Sequence, residues 1–243
     1  MEATEKNPFS RTELLLGSDA MTVLANAKVI IFGIGGVGGH AFEALVRSGV
    51  GSICVVDADV VSETNLNRQI LATKSTIGVQ KTEAARLRAL DINPNAKITT
   101  VPIFYDEASA NKISLSDYDY VIDAIDTVTS KLLLIKNAKE AGVPIISSMG
   151  AGGKTDPTAF KVSDVYKTSV CPLARVMRTQ LKKMGIKKLK VVYSEEMPKK
   201  SFVENEENLP KTRHAPGSIA TVPSVAGLII AAEVMKDLTE KCK

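Results

Sequence analysis

A chain of 243 residues, 44% hydrophobic and 24% charged, is long enough for one substantial core and has the balance of a soluble globular protein, which excludes fibrous and disordered classes. The formal net charge is only +4, but residues 172–200 hold nine Lys or Arg against two Glu, a local +7 that leaves −3 for everything else. Three widely spaced cysteines, Cys54, Cys171 and Cys242, form no Cys-x-x-Cys pair, and no apolar stretch approaches the ~20 residues of a membrane span; a disulfide framework, a four-thiolate zinc site and a membrane partner are all argued against, and a reducing, cytoplasmic setting is expected.

In chain order, residues 1–27 read as an N-terminal helical arm. The apolar run at 29–32 leads into glycines and then into an Ala/Leu/Val pattern at 39–47, the signature of buried strand, tight turn and helix. A second apolar run at 52–57 closes a β-α-β unit, which must cross over right-handed. Further strands are predicted at 98–103, 120–124 and 144–148, with helices at 80–90 and 130–141, and this alternation argues for a parallel sheet covered on both faces. After residue 153 the rhythm changes. Strands at 159–165 and 189–193 flank a basic helix at 173–184, a polar segment at 194–216 reads as a mobile loop, and an apolar helix at 222–236 follows. The expected fold is a single α/β domain, Rossmann-like, with a mostly parallel central sheet. Residues 28–155 are its nucleotide-binding core, and 156–243 are an appended strand-helix layer with the C-terminal helix.

Gly33-Ile34-Gly35-Gly36-Val37-Gly38 has the spacing of a turn whose backbone N–H groups and following helix N-terminus hold a phosphate. Asp57, at the end of the second strand, is placed to accept hydrogen bonds from a ribose. The same fingerprint serves NAD in many proteins, and the residues just beyond it decide the nucleotide. Asp59, Asn65, Arg68, Gln69 and Lys81 crowd the segment past the ribose acid. A flat redox ring gains nothing from such a cluster. A triphosphate needs it, because Arg and Lys offset the charge that develops as pyrophosphate leaves. Asp126 ends a predicted strand on the edge that faces the ligand crevice, where a carboxylate can hold magnesium. Asp123 is the competing choice, and either acid could instead cap the helix that starts near residue 127.

Together these motifs resemble the ubiquitin-activating-enzyme-like adenylation superfamily over residues 9–236. The resemblance implies that ATP is bound by the glycine loop (Gly33, Gly35, Gly36, Gly38) with Asp57 and Asp59. Asn65, Arg68, Gln69 and Lys81 would contact its phosphates, and Asp126 would serve Mg2+. Arg11, within Phe9-Ser10-Arg11, matches an arginine that crosses to the partner's active site in the family's dimers, so a homodimer is implied and Arg11 joins Arg68, Lys81 and Asp126 as an expected catalytic residue. Within the superfamily the chain is similar to the branch that dehydrates threonylcarbamoyladenosine in tRNA, on residues 121–126, on 150–158 and on the basic segment 172–196. That similarity implies tRNA carrying threonylcarbamoyladenosine as partner and an ATP-dependent cyclisation through an adenylated carboxylate. The chain departs from the branch at Cys171-Pro172, where Asp-Pro is common.

Arg175, Arg178, Lys182 and Lys183 recur at helical spacing and form a face suited to tRNA phosphates, with Lys187, Lys188 and Lys190 as extensions, although a solvated helix face has the same pattern. Cys171 sits where sulfur-carrier-activating relatives place a reactive thiol, before a helix N-terminus. Cys54 belongs to the core, and His40 and His214 read as structural or solvated. Two other readings stay open: an activator of a ubiquitin-like sulfur carrier, with a sulfur-transfer protein as a further candidate partner, and an NAD-binding oxidoreductase.

Overall fold

The computed structural model describes residues 7–199 and 216–240. β1 (Lys28–Phe32) and β2 (Ser52–Val56) are buried at consecutive positions rather than alternate ones. That pattern belongs to strands covered on both faces. β1 divides its side chains accordingly: Val29 and Ile31 enter one core, Ile30 and Phe32 the other.

β3 (Lys97–Val101), β4 (Tyr120–Asp123), β5 (Ile145–Ser148), β6 (Phe160–Asp164) and β7 (Lys190–Ser194) complete one seven-stranded sheet in the order β3-β2-β1-β4-β5-β7-β6. Every neighbouring pair is parallel except β6 and β7. The strand order reverses between β1 and β4, and in open α/β sheets the ligand crevice lies at such a switch point. The two late strands do not form a separate layer. β7 pairs with β5 and extends the same sheet, with β6 as its antiparallel edge.

The N-terminal arm is two helices, α1 (Ser10–Leu16) and α2 (Ser18–Asn26). α3 (Gly38–Arg47), α4 (Lys81–Ile92) and α7 (Thr221–Thr239) cover one face of the sheet, and α5 (Val128–Glu140) and α6 (Pro172–Lys183) cover the other. α6 shows why its sequence makes a helix. Ala174, Met177 and Leu181 fall on one stripe and are buried, while Arg175, Lys182 and Lys183 stay exposed. No helix among the described residues is long and apolar enough to cross a membrane. Most of the predicted polar loop, residues 200–215 with His214, lies outside the described residues, as does Cys242.

α7 is fastened at the edge of the sheet remote from the switch-point crevice. Tyr120, the first residue of β4, donates its hydroxyl to Asp237 at 2.6 Å, and Lys190, the first residue of β7, reaches Asp237 at 2.7 Å and Glu233 at 3.0 Å. Burial raises the Tyr120 hydroxyl above the usual tyrosine range, and the carboxylate beside it adds to the rise. Asp237→Ala leaves a buried hydroxyl without its acceptor and should cost about 1–3 kcal/mol. Urea denaturation should read that loss, with ligand binding at the opposite edge unchanged; an unaltered urea midpoint would remove this cluster from the forces holding α7.

Candidate active site

At the C-terminal ends of the central strands lies a cleft of about 630 Å³. Its floor is the β1–α3 turn. Gly33 has φ 80°, and a Cβ there would stand 2.7 Å from the carbonyl oxygen of Ala124; at Gly38 it would stand 1.8 Å from the carbonyl oxygen of Gly33. Neither position tolerates a side chain, so the turn presses against the end of β4 and exposes backbone N–H groups at the start of α3.

Asp57 fastens that turn to β2. One carboxylate oxygen accepts from the Ile34 N–H at 2.8 Å and the other from the Asp59 N–H at 2.9 Å. Burial raises its carboxyl above the usual aspartate range, which the Lys81 charge and the two backbone donors offset only in part. Lys81 opens α4, is itself buried, and sits 2.6 Å from Asp59 and 3.9 Å from Asp57. Its place is set by the backbone: the Lys81 N–H donates to the Asp59 carbonyl at 2.9 Å, and Val61 N–H to the Val79 carbonyl at 2.8 Å.

A short 3-10 turn, Glu63–Asn65, carries the next group of residues. The Asn65 carboxamide oxygen accepts from the Ser62 N–H at 3.1 Å, which commits that oxygen to shaping the turn. Arg68 is held through one guanidinium nitrogen, 2.9 Å from the Thr64 carbonyl and 2.8 Å from Asn67, while Asn67 donates to the Ser218 carbonyl at 2.9 Å. Gln69 lines the cleft with a buried carboxamide oxygen that has no hydrogen-bond partner among the described residues. The amide nitrogen of the same side chain lies on the glycine-turn side, 3.6 Å from where a Cβ on Gly35 would stand, and is the half of the carboxamide that can donate to a phosphate oxygen.

The two acids at the end of β4 take different places. Asp123 is fully buried and paired with Lys131 at 2.9 Å. Asp126 is exposed in the cleft, and the N-cap of α5 is Thr127, which makes no side-chain capping bond. Among the described residues no three His, Cys, Asp or Glu side chains converge as a metal cluster. A single carboxylate beside a phosphate cradle still fits a hard divalent cation that takes its remaining ligands from phosphate oxygens and water.

The cleft thus brings together Gly33, Gly35, Gly36, Asp57, Asp59, Asn65, Arg68, Gln69, Lys81 and Asp126, with Gly38 directly beneath. Arg11 is elsewhere, exposed on α1. Arg175, Lys182 and Lys183 on α6, and Lys187 and Lys188 after it, are exposed. Arg178 is partly buried and donates to the Thr168 carbonyl at 2.9 Å, and Lys190 is taken up by Glu233 and Asp237. Cys171 is the buried N-cap of α6, and Cys54 is buried in β2. His40 is half buried, and burial holds its imidazole below the usual histidine range although the neighbouring Arg68 backbone acts in the opposite direction.

Sequence reasoning missed two walls. Ile103, Phe104 and Tyr105 follow β3 and form one; Gly150, Gly152 and Leu173 contribute to the other. Tyr105 is buried edge-on against Phe32, with ring centroids 4.7 Å apart, and this leaves Phe104 in the cleft with 54% of its surface exposed. The signal for residues 103–105 and for Gly150 and Gly152 is their position just past the carboxyl ends of β3 and β5, whereas Leu173 comes from α6.

The ThiF family matches residues 9–243 of the chain. The tRNA threonylcarbamoyladenosine dehydratase of Bacillus subtilis (strain 168) is 44% identical over 238 residues, which is 95% of this chain and 94% of that protein. Solved structures of the E. coli tRNA N6-threonylcarbamoyladenosine dehydratase in complex with AMP and with ATP are each 33% identical, covering 97% of this chain and 95% of theirs, with TM-scores of 0.87 and 0.86. With a family match over nearly its whole length and the same α/β architecture in those structures, the chain belongs to the ThiF family.

Proposed function

We propose that this chain is an ATP-dependent dehydratase of tRNA that acts on threonylcarbamoyladenosine beside the anticodon. The observation that carries this reading is the company the glycine turn keeps: Arg68, Lys81 and the exposed Asp126 face the same cleft. The names of the Bacillus subtilis relative and of the AMP- and ATP-bound E. coli structures support it.

In the first step the threonylcarbamoyl carboxylate attacks the α-phosphorus of ATP and pyrophosphate leaves, giving an acyl-adenylate. In the second, a nucleophile within the same modification attacks the acyl carbon, closes a ring, loses its proton and expels AMP. The net change in the nucleoside is loss of one water. The backbone N–H groups at the start of α3 cradle phosphate, Asp57 and Asp59 receive the ribose side, and Asn65 and Gln69 orient phosphate oxygens. Arg68 and Lys81 balance the charge that grows on pyrophosphate. Asp126 holds Mg2+, which neutralises phosphate charge when bound. The second step is intramolecular and gains from high effective concentration, so no enzyme nucleophile is needed. The buried Cys171 suits that scheme.

The same reading divides the chain into an arm at 1–27, a nucleotide core at 28–155 and a C-terminal part at 156–243 that continues the sheet and meets tRNA, working in the cytoplasm as a homodimer. Arg11 serves the partner's cleft. Its helix carries Leu14 and Leu15 at 88% and 83% exposure, which suits coverage by a second copy. Arg175, Lys182, Lys183, Lys187 and Lys188 meet tRNA phosphates, and Arg178 assists while bracing Thr168.

Pyrophosphate exchange tests the proposal: exchange should require tRNA bearing the modification, and exchange driven instead by a small carrier protein would overturn it. Arg68→Ala should lower the exchange rate by roughly 100-fold or more with the fold intact; wild-type turnover would remove Arg68 from the mechanism. Replacing Lys182 and Lys183 with Glu should weaken tRNA binding and flatten its salt dependence by about one unit of slope per lost phosphate contact, at constant ATP affinity. Unchanged tRNA affinity would leave α6 a plain solvated face. Arg11→Ala and Lys81→Ala subunits, each inactive alone, should recover part of the activity when mixed; no recovery would place Arg11 outside the partner's site.

A further inference from the structure

Asp123 and Lys131 form an ion pair of which neither side chain has any exposed surface, 2.9 Å between charged atoms, directly beneath the cleft. Stability alone gives little reason for such a pair, since well-packed apolar residues in its place are often neutral or stabilising. Lys131 also sits near the N-terminus of α5, where the helix dipole disfavours a cation. What the pair does locally is specific. Lys131 donates to the Ile125 carbonyl at 2.9 Å, one Asp123 oxygen accepts from the Ile125 N–H at 3.1 Å, and Ser147 on β5 donates at 2.5 Å to the other, the oxygen that also pairs with Lys131. Both polar backbone groups of Ile125 are therefore fixed by one buried pair. Ala124, on its other side, donates to the Phe32 carbonyl at 2.9 Å and packs under the glycine turn.

The next residue is Asp126. We propose that Asp123 and Lys131 are positioning residues that lock the turn at 124–126 so that the Asp126 carboxylate faces the cation and phosphates in the cleft, with Ser147 as their brace. The pair spends its hydrogen bonds on the residue that precedes the acid, and nothing else among the described residues holds the Ile125 peptide. This inference rests on the ATP and Mg2+ reading above.

Calorimetric titration of ATP with and without Mg2+, alongside thermal unfolding, tests it. Supporting groups behind a metal ligand typically cost about 10–100-fold in metal affinity when removed, and Lys131→Met should lose that much of the Mg2+-dependent ATP affinity while ATP binding without Mg2+ is kept. If the single variant misfolds, the paired replacement Asp123→Leu with Lys131→Met leaves no buried charge; it should unfold at or above the wild-type temperature and still show the loss. Ser147→Ala should show a smaller loss in the same direction. A stably folded paired variant with wild-type Mg2+ dependence would overturn the positioning role alone. A wild-type protein that binds no ATP would instead overturn the functional reading on which it rests.

Discussion

The Cα of Gly38 lies so close to the carbonyl of Gly33 that no Cβ fits between them, and Gly33 in turn lies against the carbonyl of Ala124. This stack of backbone on backbone brings the end of β1, the start of α3 and the end of β4 within contact of one another. Everything functional hangs from it. Asp57 ties β2 to the same turn through the Ile34 N–H, and the buried Asp123 and Lys131 tie the end of β4 to α5. A side chain at either glycine would separate the helix N-terminus from the carboxylates that flank it.

Electrostatics follow from that compactness. Asp57 is buried at a cost visible in its raised pKa, and the nearby ammonium of Lys81 recovers part of it. Lys81 is itself shared between Asp57 and Asp59, and Arg68 commits one nitrogen to its own loop while keeping its others for the cleft. The charges are thus held in advance by the protein rather than gathered by the ligand. Preorganised charge of this kind favours a reaction in which negative charge moves, as it does when pyrophosphate departs.

Much of the fold was legible in sequence because parallel strands buried on both faces, such as β1, β2 and β4, read as continuous apolar runs; β3 and β6, at the two edges and more exposed, were also expected, and all seven expected strands joined the sheet. The glycine turn and the segment at 57–81 were legible for a different reason: their spacing is local, and local spacing survives folding. What the sequence could not give is adjacency set by strand order. Phe104 and Gly150 reach one cleft because β3 and β5 both end on its rim, a fact of topology that no short window contains. Which of Asp123 and Asp126 stays exposed in the cleft was hidden for a similar reason, since Asp123 is taken up by Lys131, eight residues further on, and by Ser147 on the neighbouring strand. On α6, helical period assigned Arg178 to the basic face but could not reveal that Thr168 holds it, and Lys190 belongs to α7's anchor rather than to the patch.

The central claim is that a carboxylate of the substrate, not a group on the protein, is joined to the α-phosphate of ATP. Substrate tRNA carrying heavy-oxygen label in the threonylcarbamoyl carboxylate tests this most directly, with mass spectrometry of the AMP released. Adenylation of that carboxylate predicts one labelled oxygen in the phosphate of AMP for each ring closed. Cyclised tRNA accompanied by AMP without label would contradict the account.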